Sequence, residues 1–254
     1  MKYAIIVALL VSRACYADNS LDSECPQFSV YGAPVAKVTS GQFICKSNYA
    51  IHYSFKTKTA EYVVEHPTMA SISGNAKRKD DFRVDPDIAK ANQSQLADYS
   101  SAGSTYDRGH LVPAANSNES AEMMSETFFL SNMIPQLASN NRGIWRKLEA
   151  LVREQVNASS SIYVVSGTVY QPGYVMIGTN KVGVPSSVFK VIIDAKNNQA
   201  IGFVIPNIAI PTADLMKYAV SVATVETITG INFMPNLPAK LKNIEKTTTG
   251  WINE

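Results

Sequence analysis

The sequence predicts a single α+β domain, a mainly antiparallel central sheet flanked by helices, and three observations predict it. Hydrophobic residues make up 46% of the 254, enough for one large core, while 17% charged residues argue against a disordered chain. Short β-branched and aromatic runs recur, separated by segments with helical periodicity. The two kinds interleave without the regular alternation that a doubly wound sheet requires.

The first segment stands apart. Met1 and Lys2 precede the apolar run Tyr3–Val11, then Ser12-Arg13-Ala14-Cys15-Tyr16-Ala17. A basic start, a short apolar core and small residues at a cut site predict a signal peptide over residues 1–17, and with it a secreted or periplasmic protein. The run is short for a membrane-spanning anchor, the competing reading. Cleavage after Ala17 and cleavage after Ala14 both satisfy the small-residue rule. Cysteine parity favours Ala17, because it leaves Cys25 and Cys45 as a pair able to bridge in an oxidising compartment. Loss of residues 1–17 removes Lys2 and Arg13, leaving 21 basic residues against 21 acidic ones. Affinity for a polyanion must then come from local basic patches.

Residues 18–254 show no repeat or separating linker and read as one domain, opening with an irregular arm over 18–40. Ile51–Thr57 and Glu61–His66 predict a hairpin. Asn75–Ser104 is polar, charged and aperiodic, a long surface excursion of the kind that usually carries function. Helices are expected over Ser120–Phe129 and over Asn141–Val156, where Ile144, Leu148, Leu151 and Val152 form an apolar stripe. Ser161–Tyr170, Ser187–Asp194 and Ala200–Ile205 predict strands. A third helix is expected over Asp214–Thr229, opened by Pro211 and Thr212 and closed by Gly230.

Of three histidines, His52 lies inside a strand and His66 precedes Pro67 at a strand end, and both read as packing or surface residues. His110 is different. It ends Tyr106-Asp107-Arg108-Gly109-His110, where a carboxylate, a guanidinium and a tight-turning glycine precede an imidazole. An imidazole can take a proton from water at neutral pH, and a guanidinium can bind phosphate oxygens bidentately. Farther on, Ser131-Asn132-Met133-Ile134-Pro135-Gln136 leads to Asn140-Asn141-Arg142-Gly143-Ile144-Trp145 and Glu149. These offer the oxygen ligands that Mg²⁺ prefers. Asn141 and Glu149 are two helical turns apart and about 80° offset, so both can lean toward one site. A capped amphipathic helix with an exposed glutamate is the plainer alternative.

In this order, Asp-Arg-Gly-His, Ser-Asn-x-x-Pro-Gln and Asn-x-Gly-x-Trp-x-x-x-Glu resemble the DNA/RNA non-specific endonuclease family, which includes secreted bacterial nucleases. The likeness extends upstream to Tyr49-Ala50-Ile51-His52-Tyr53 and Glu61-Tyr62-Val63-Val64-Glu65. It implies a ββα-metal motif spanning Tyr106 to Glu149. It also implies His110 as general base and Asn141 as the one direct protein ligand of Mg²⁺, with Mn²⁺ able to substitute. Glu149 would hold a water of the ion's shell, Asn132 would hydrogen-bond near the histidine and the scissile group, and Arg108 would position phosphate. Arg78 would be the arginine that stabilises the transition state, with Arg83 as its rival across a variable loop.

The implied partners are DNA and RNA, gripped by phosphate and sugar with little base preference, since no base-reading element is present. Arg142, Arg146, Lys147 and Arg153 form a basic helix face that could track a backbone or simply be solvated. The resemblance leaves room for an inhibitor protein. Two rivals remain open: a phosphodiesterase restricted to small nucleotides, and a nuclease-like binding module without catalysis.

Overall fold

Alternating β-branched and aromatic residues build the centre of the molecule, whose computed structural model describes residues 21–36, 40–100 and 105–246. The expected signal peptide, with Cys15, lies outside the described residues. Strands β1 (Gly41–Cys45), β2 (Tyr49–Ser54) and β3 (Thr59–Glu65) form a meander. The ribbon β4 (Tyr106–His110) and β5 (Met133–Leu137) follows as a separate antiparallel pair. Strands β6 (Ile162–Val169), β7 (Ser187–Asp194), β8 (Gln199–Pro206) and β9 (Ala219–Val220) complete a seven-stranded sheet. Its order is β9-β8-β7-β6-β3-β2-β1, antiparallel at every step, as the sequence predicts.

Period-2 alternation gives the sheet two buried faces. Tyr49, Ile51, Tyr53, Val63, Val164, Val188 and Ile192 pack on one side against Ile144, Trp145, Leu148, Val152 and Val156. Ala50, Tyr62, Val64, Val165, Phe189 and Val191 pack on the other, against Leu21, Phe28, Val222, Val225, Phe233 and Met234. The result is three layers. The β4–β5 ribbon lies on the first face with α2 (Arg146–Ala158). Helix α1 (Ala121–Glu126) starts where the sequence predicts, its cap Ser120 accepting from the Met123 amide.

The structure corrects two expectations. Asp214–Thr229 is not one helix but a 3₁₀ segment (Thr212–Tyr218), strand β9 and a short helix α3 (Val222–Thr229). Ala219 and Val220 pair with Phe203 and Gly202 at the sheet edge, and Ser221 recaps the chain by accepting from the Thr224 amide. Edge pairing satisfies backbone groups that the helix would otherwise have used. The arm before β1 is not merely irregular: Leu21, Cys25 and Phe28 are buried in the second core.

Cys25 is bonded to Cys45 on β1, their Cα atoms 6.1 Å apart, which ties the arm to the edge strand. A loop of 20 residues restricted in the unfolded chain is worth roughly 3 kcal/mol in the chain-entropy model. Reduction of oxidised protein should therefore lower the midpoint of thermal unfolding by roughly 6 to 12 °C. Thiol-blocked and untreated samples with the same midpoint would show that the bridge contributes nothing.

Candidate active site

The ribbon register presents the site. Arg108 pairs with Pro135, Gly109 with Ile134 and His110 with Met133. Gly109 is extended, so its role is space rather than the tight turn expected from sequence. A Cβ there would sit 2.2 Å from Gln136 Oε1. Gln136 fills that space and donates to Asn140 Oδ1 at 2.8 Å, while Asn140 donates to the Pro206 and Ile208 carbonyls. The ribbon is thereby fixed to the end of β8.

His110 is held by its backbone and left free at its ring. Its carbonyl accepts from the fully buried Trp145 indole at 3.0 Å. The imidazole lies between Phe128, edge-on at 4.9 Å, and Phe82 at 5.7 Å. Its Nε2 has no hydrogen-bond partner. Burial pushes the His110 pKa down to about 3, helped by the charges of Arg78 and Arg108 and opposed by Asp80. The ring is thus a neutral base with an open nitrogen, the state that accepting a proton requires.

The two arginines stack on the phenylalanines that hold the histidine. Arg78 lies over Phe128 at 4.9 Å and Arg108 over Phe82 at 4.2 Å. Arg78 also pairs with Asp80 at 2.6 Å, in a largely exposed contact. Arg83 points elsewhere. It stacks on Phe129 at 4.0 Å and donates to Asp81 Oδ2 and the Ser125 carbonyl, so its guanidinium is engaged in holding the excursion down. Lys46 and Ser131 pin the same excursion through the buried Asp85.

Helix α2 is preceded by a widened π-type turn, Asn141–Trp145, interrupted at Gly143 (φ −105°, ψ −106°). Such turns often mark functional positions. Asn141 leads it, and its Nδ2 donates to Asp107 Oδ2 at 2.8 Å, which leaves Oδ1 as the open acceptor. Asp107 also takes two hydrogen bonds from Arg142, at 2.8 and 2.7 Å. Burial raises the Asp107 pKa, but the Arg142 and Asn141 bonds outweigh it, so the net shift is downward.

One open cleft is lined by Arg78, Arg108, His110 and Asn141, with Asp80, Phe82, Asp107, Arg142 and Arg146 around them. Glu149 is not among the residues lining it; burial pushes its pKa up to about 7, with Glu65 adding to the rise, while Lys190, Arg153 and Arg78 pull it down. Asn132 hydrogen-bonds near His110, but inside the fold and outside the cleft lining. It is fully buried, its Oδ1 accepting from the Val112 amide and its Nδ2 donating to the Val112 and Thr127 carbonyls. It fixes the chain two residues past His110 and has no group left for a scissile bond. His52 packs between Phe43 and Tyr62, as expected of a packing histidine, and its Nδ1 lies 2.9 Å from Glu61 Oε2 across the hairpin, outside this cleft. Among the described residues no three His, Cys, Asp or Glu side chains cluster as metal ligands, so these residues offer no closed metal cage.

A family model described as DNA/RNA non-specific endonuclease matches residues 30–240. The chain belongs to that family. It is 33% identical to the human mitochondrial nuclease EXOG over 91% of this chain and 68% of the relative. It is 32% identical to human mitochondrial endonuclease G, covering 88% and 78% of the two chains. A nuclease of the cyanobacterium Nostoc is 32% identical over 94% and 93%. The chain spans only about 60% of the mouse EXOG it matches. Among solved structures, EndoG in the EndoG/EndoGI complex superposes with a TM-score of 0.76 at 30% identity, covering 85% and 93% of the two chains. This non-specific endonuclease is therefore a nucleic-acid-hydrolysing enzyme of a divalent-cation-dependent family with the ββα-metal fold. No helix among the described residues is long and apolar enough to cross a membrane.

Reading the endonuclease from sequence missed three contributors. Asp107 was visible beside His110, but its partners Asn141 and Arg142 lie on another segment, so its role in holding them had no local signal. Phe82 and Phe128, which flank the imidazole, carried no local signal, because aromatic residues at such spacings usually belong to a core. The arginines beside His110 yield a testable shift. A neighbouring cation disfavours imidazolium, so removing one should raise the His110 pKa. Arg78→Ala should then move the acid limb of kcat/KM to higher pH, as well as lowering the rate. An acid limb unmoved in Arg78→Ala would show that Arg78 does not act on His110.

Proposed function

We propose that the chain is an exported, Mg²⁺-dependent endonuclease that cleaves DNA and RNA with little base preference, His110 taking the proton of the attacking water. The observation that supports this best is the unpartnered Nε2 of a neutral His110, set in one cleft with two arginines and the open oxygen of Asn141.

Asn141 fits a Mg²⁺ ion held by a single protein oxygen: its amide is oriented by Asp107, and the absence of a carboxylate cage among the described residues suits an ion that keeps most of its water. Mg²⁺ bound there would act as a Lewis acid on the phosphate. Arg78 and Arg108 face the same phosphate and offset the charge that builds on its oxygens, one such donor typically contributing about 3 kcal/mol. Glu149 would order the ion's water, while Trp145 holds the His110 carbonyl and Asn132 holds the backbone at Val112. Phe82 and Phe128 flank that ring, and burial keeps it neutral. Export rests on Met1–Ala17, and Asp18 as the mature N-terminus is its readout. An inhibitor protein covering the open cleft is a partner that this geometry would admit.

The test is a digest of plasmid, single-stranded DNA and RNA, with and without chelator. All three should be cleaved, chelator should silence the enzyme, and the rate should fall steeply with added salt because phosphate contacts dominate binding. Cleavage restricted to dinucleotides would favour the small-nucleotide phosphodiesterase. No cleavage under any metal would favour a binding module, and full activity in chelator would remove the metal from the mechanism.

A further inference from the structure

Four cations fall between residues 142 and 153, and the structure divides them. Lys147 donates to the Thr212 carbonyl at 3.0 Å and Arg153 to Asn116 Oδ1 at 3.3 Å, and neither lines the cleft. Arg142 and Arg146 do line it, beside Asp107 and Asn141. The hydrolysis described above gives neither of them a contact with substrate.

Arg142 is oriented by its carboxylate and still has donors to offer. Its Nε and Nη2 bind Asp107 at 2.8 and 2.7 Å, so Asp107 holds one edge of the guanidinium. A guanidinium has five N–H donors, and the edge that carries Nη1 remains open. The side chain is 72% exposed. Asp107 Oδ2 also accepts from Asn141 Nδ2 at 2.8 Å, which sets the amide and the guanidinium side by side on one oxygen. Asp107 thereby fixes Arg142 relative to the asparagine that would hold the ion. Arg146, four residues on, is exposed and makes no hydrogen bond or ion pair among the described residues.

Charge and size point the same way. Asp80 pairs with Arg78 and Asp107 with Arg142, but among the described residues no carboxylate pairs with Arg108 or Arg146. A Mg²⁺ ion at Asn141 would add to that surplus, whereas a scissile phosphodiester carries a single negative charge. At about 580 Å³ the cleft also has room for a ligand well beyond one phosphate group. A nucleic acid supplies a second anion at a fixed place, the phosphate on the other side of the same sugar.

We propose that Arg142 and Arg146 form a second phosphate subsite, which takes the backbone phosphate next to the scissile one. This rests on the cleft being the nuclease site. Arg142 meets the neighbouring phosphate with the edge that Asp107 leaves open, and Arg146 meets it from α2. The pair thus favours a chain of phosphates over an isolated ester.

The experiment is calorimetric titration of the purified full chain, in Mg²⁺, with thymidine 3′,5′-bisphosphate and with thymidine 5′- and 3′-monophosphate. None contains a phosphodiester, so none is consumed, and the bisphosphate carries two phosphates as neighbours on one sugar. The unsubstituted chain should bind the bisphosphate at least about tenfold more tightly than either monophosphate, as one hydrogen-bonded charge contact would give. Arg146→Gln should cut that preference to less than about threefold, and so should Arg142→Gln. Arg146→Gln is the cleaner variant, because Arg142 also holds Asp107. Lys147→Gln removes the same charge from the next residue and should leave the preference within about twofold of the unsubstituted value. A preference that survives either arginine substitution, an equal loss in Lys147→Gln, or no preference in the unsubstituted chain would each overturn the subsite. A chain that bound no thymidine phosphate and cut no plasmid would instead remove the nuclease reading of the cleft.

Discussion

Asn141→Ala should remove nearly all nuclease activity, a loss beyond about 10³-fold, and added Mg²⁺ should recover little of it. The reasoning starts from the amide's two ends. Nδ2 is fixed on Asp107, which Arg142 holds in turn with two bonds, so Oδ1 is presented by a rigid set of three residues. A single protein oxygen both retains the ion and sets its place relative to the phosphate, and misplacing a charge-stabilising group by about 1 Å can cost about 10²-fold. Asn141→Asp should not rescue the enzyme, although a carboxylate is the stronger ligand. It would face Asp107 across the distance at which the amide now donates, and two carboxylates at hydrogen-bond distance repel. Glu149→Ala should cost less, about 10- to 100-fold, because it acts through water. An Asn141→Ala enzyme as fast as wild type on plasmid would end the metal assignment.

His110→Ala should slow turnover about 10²- to 10⁴-fold, the range for losing a general base, while DNA binding and thermal stability change little. The structure gives the reason for that split. The contact that ties residue 110 into the fold is its carbonyl, which the substitution keeps, together with the strand pairing to Met133. The ring's own nitrogen Nε2 has no partner to lose. Added imidazole should restore part of the rate if the space between Phe82 and Phe128 admits it. Equal rates in wild type and variant would mean that another group takes the proton.

These expectations draw on two kinds of information, and the chain supplies them unequally. Within a segment, sequence was decisive. The hairpin of β2 and β3, the strands β6 to β8 and the start of α1 follow from alternation, β-branching and a serine cap, all encoded within about ten residues. Asp-Arg-Gly-His and the asparagine-led helix are also local, which is why their pattern could be read as a nuclease site before any contact was known. The failures were local too: residues 212–229 carry helix signals at both ends, and only pairing of Ala219 and Val220 with β8 breaks the helix.

Partnership between distant residues was decided by the tertiary structure alone. Arg78 and Arg83 are five residues apart in the same charged excursion, and nothing local separates them. Stacking on Phe128 beside His110 turns one toward the cleft, while Phe129, Asp81 and Ser125 hold the other away. Asn132 is read from sequence as a contact near the scissile group, yet the two carbonyls and the amide around it leave it no group for substrate. Lys190 looks like a solvated strand lysine until a hydroxyl from the neighbouring strand and the ring of Trp145 are brought against it and bury it. The physical reason is common to all three. Periodicity and capping are properties of consecutive residues, whereas a side chain's burial, charge state and partners depend on which segments the fold packs against it.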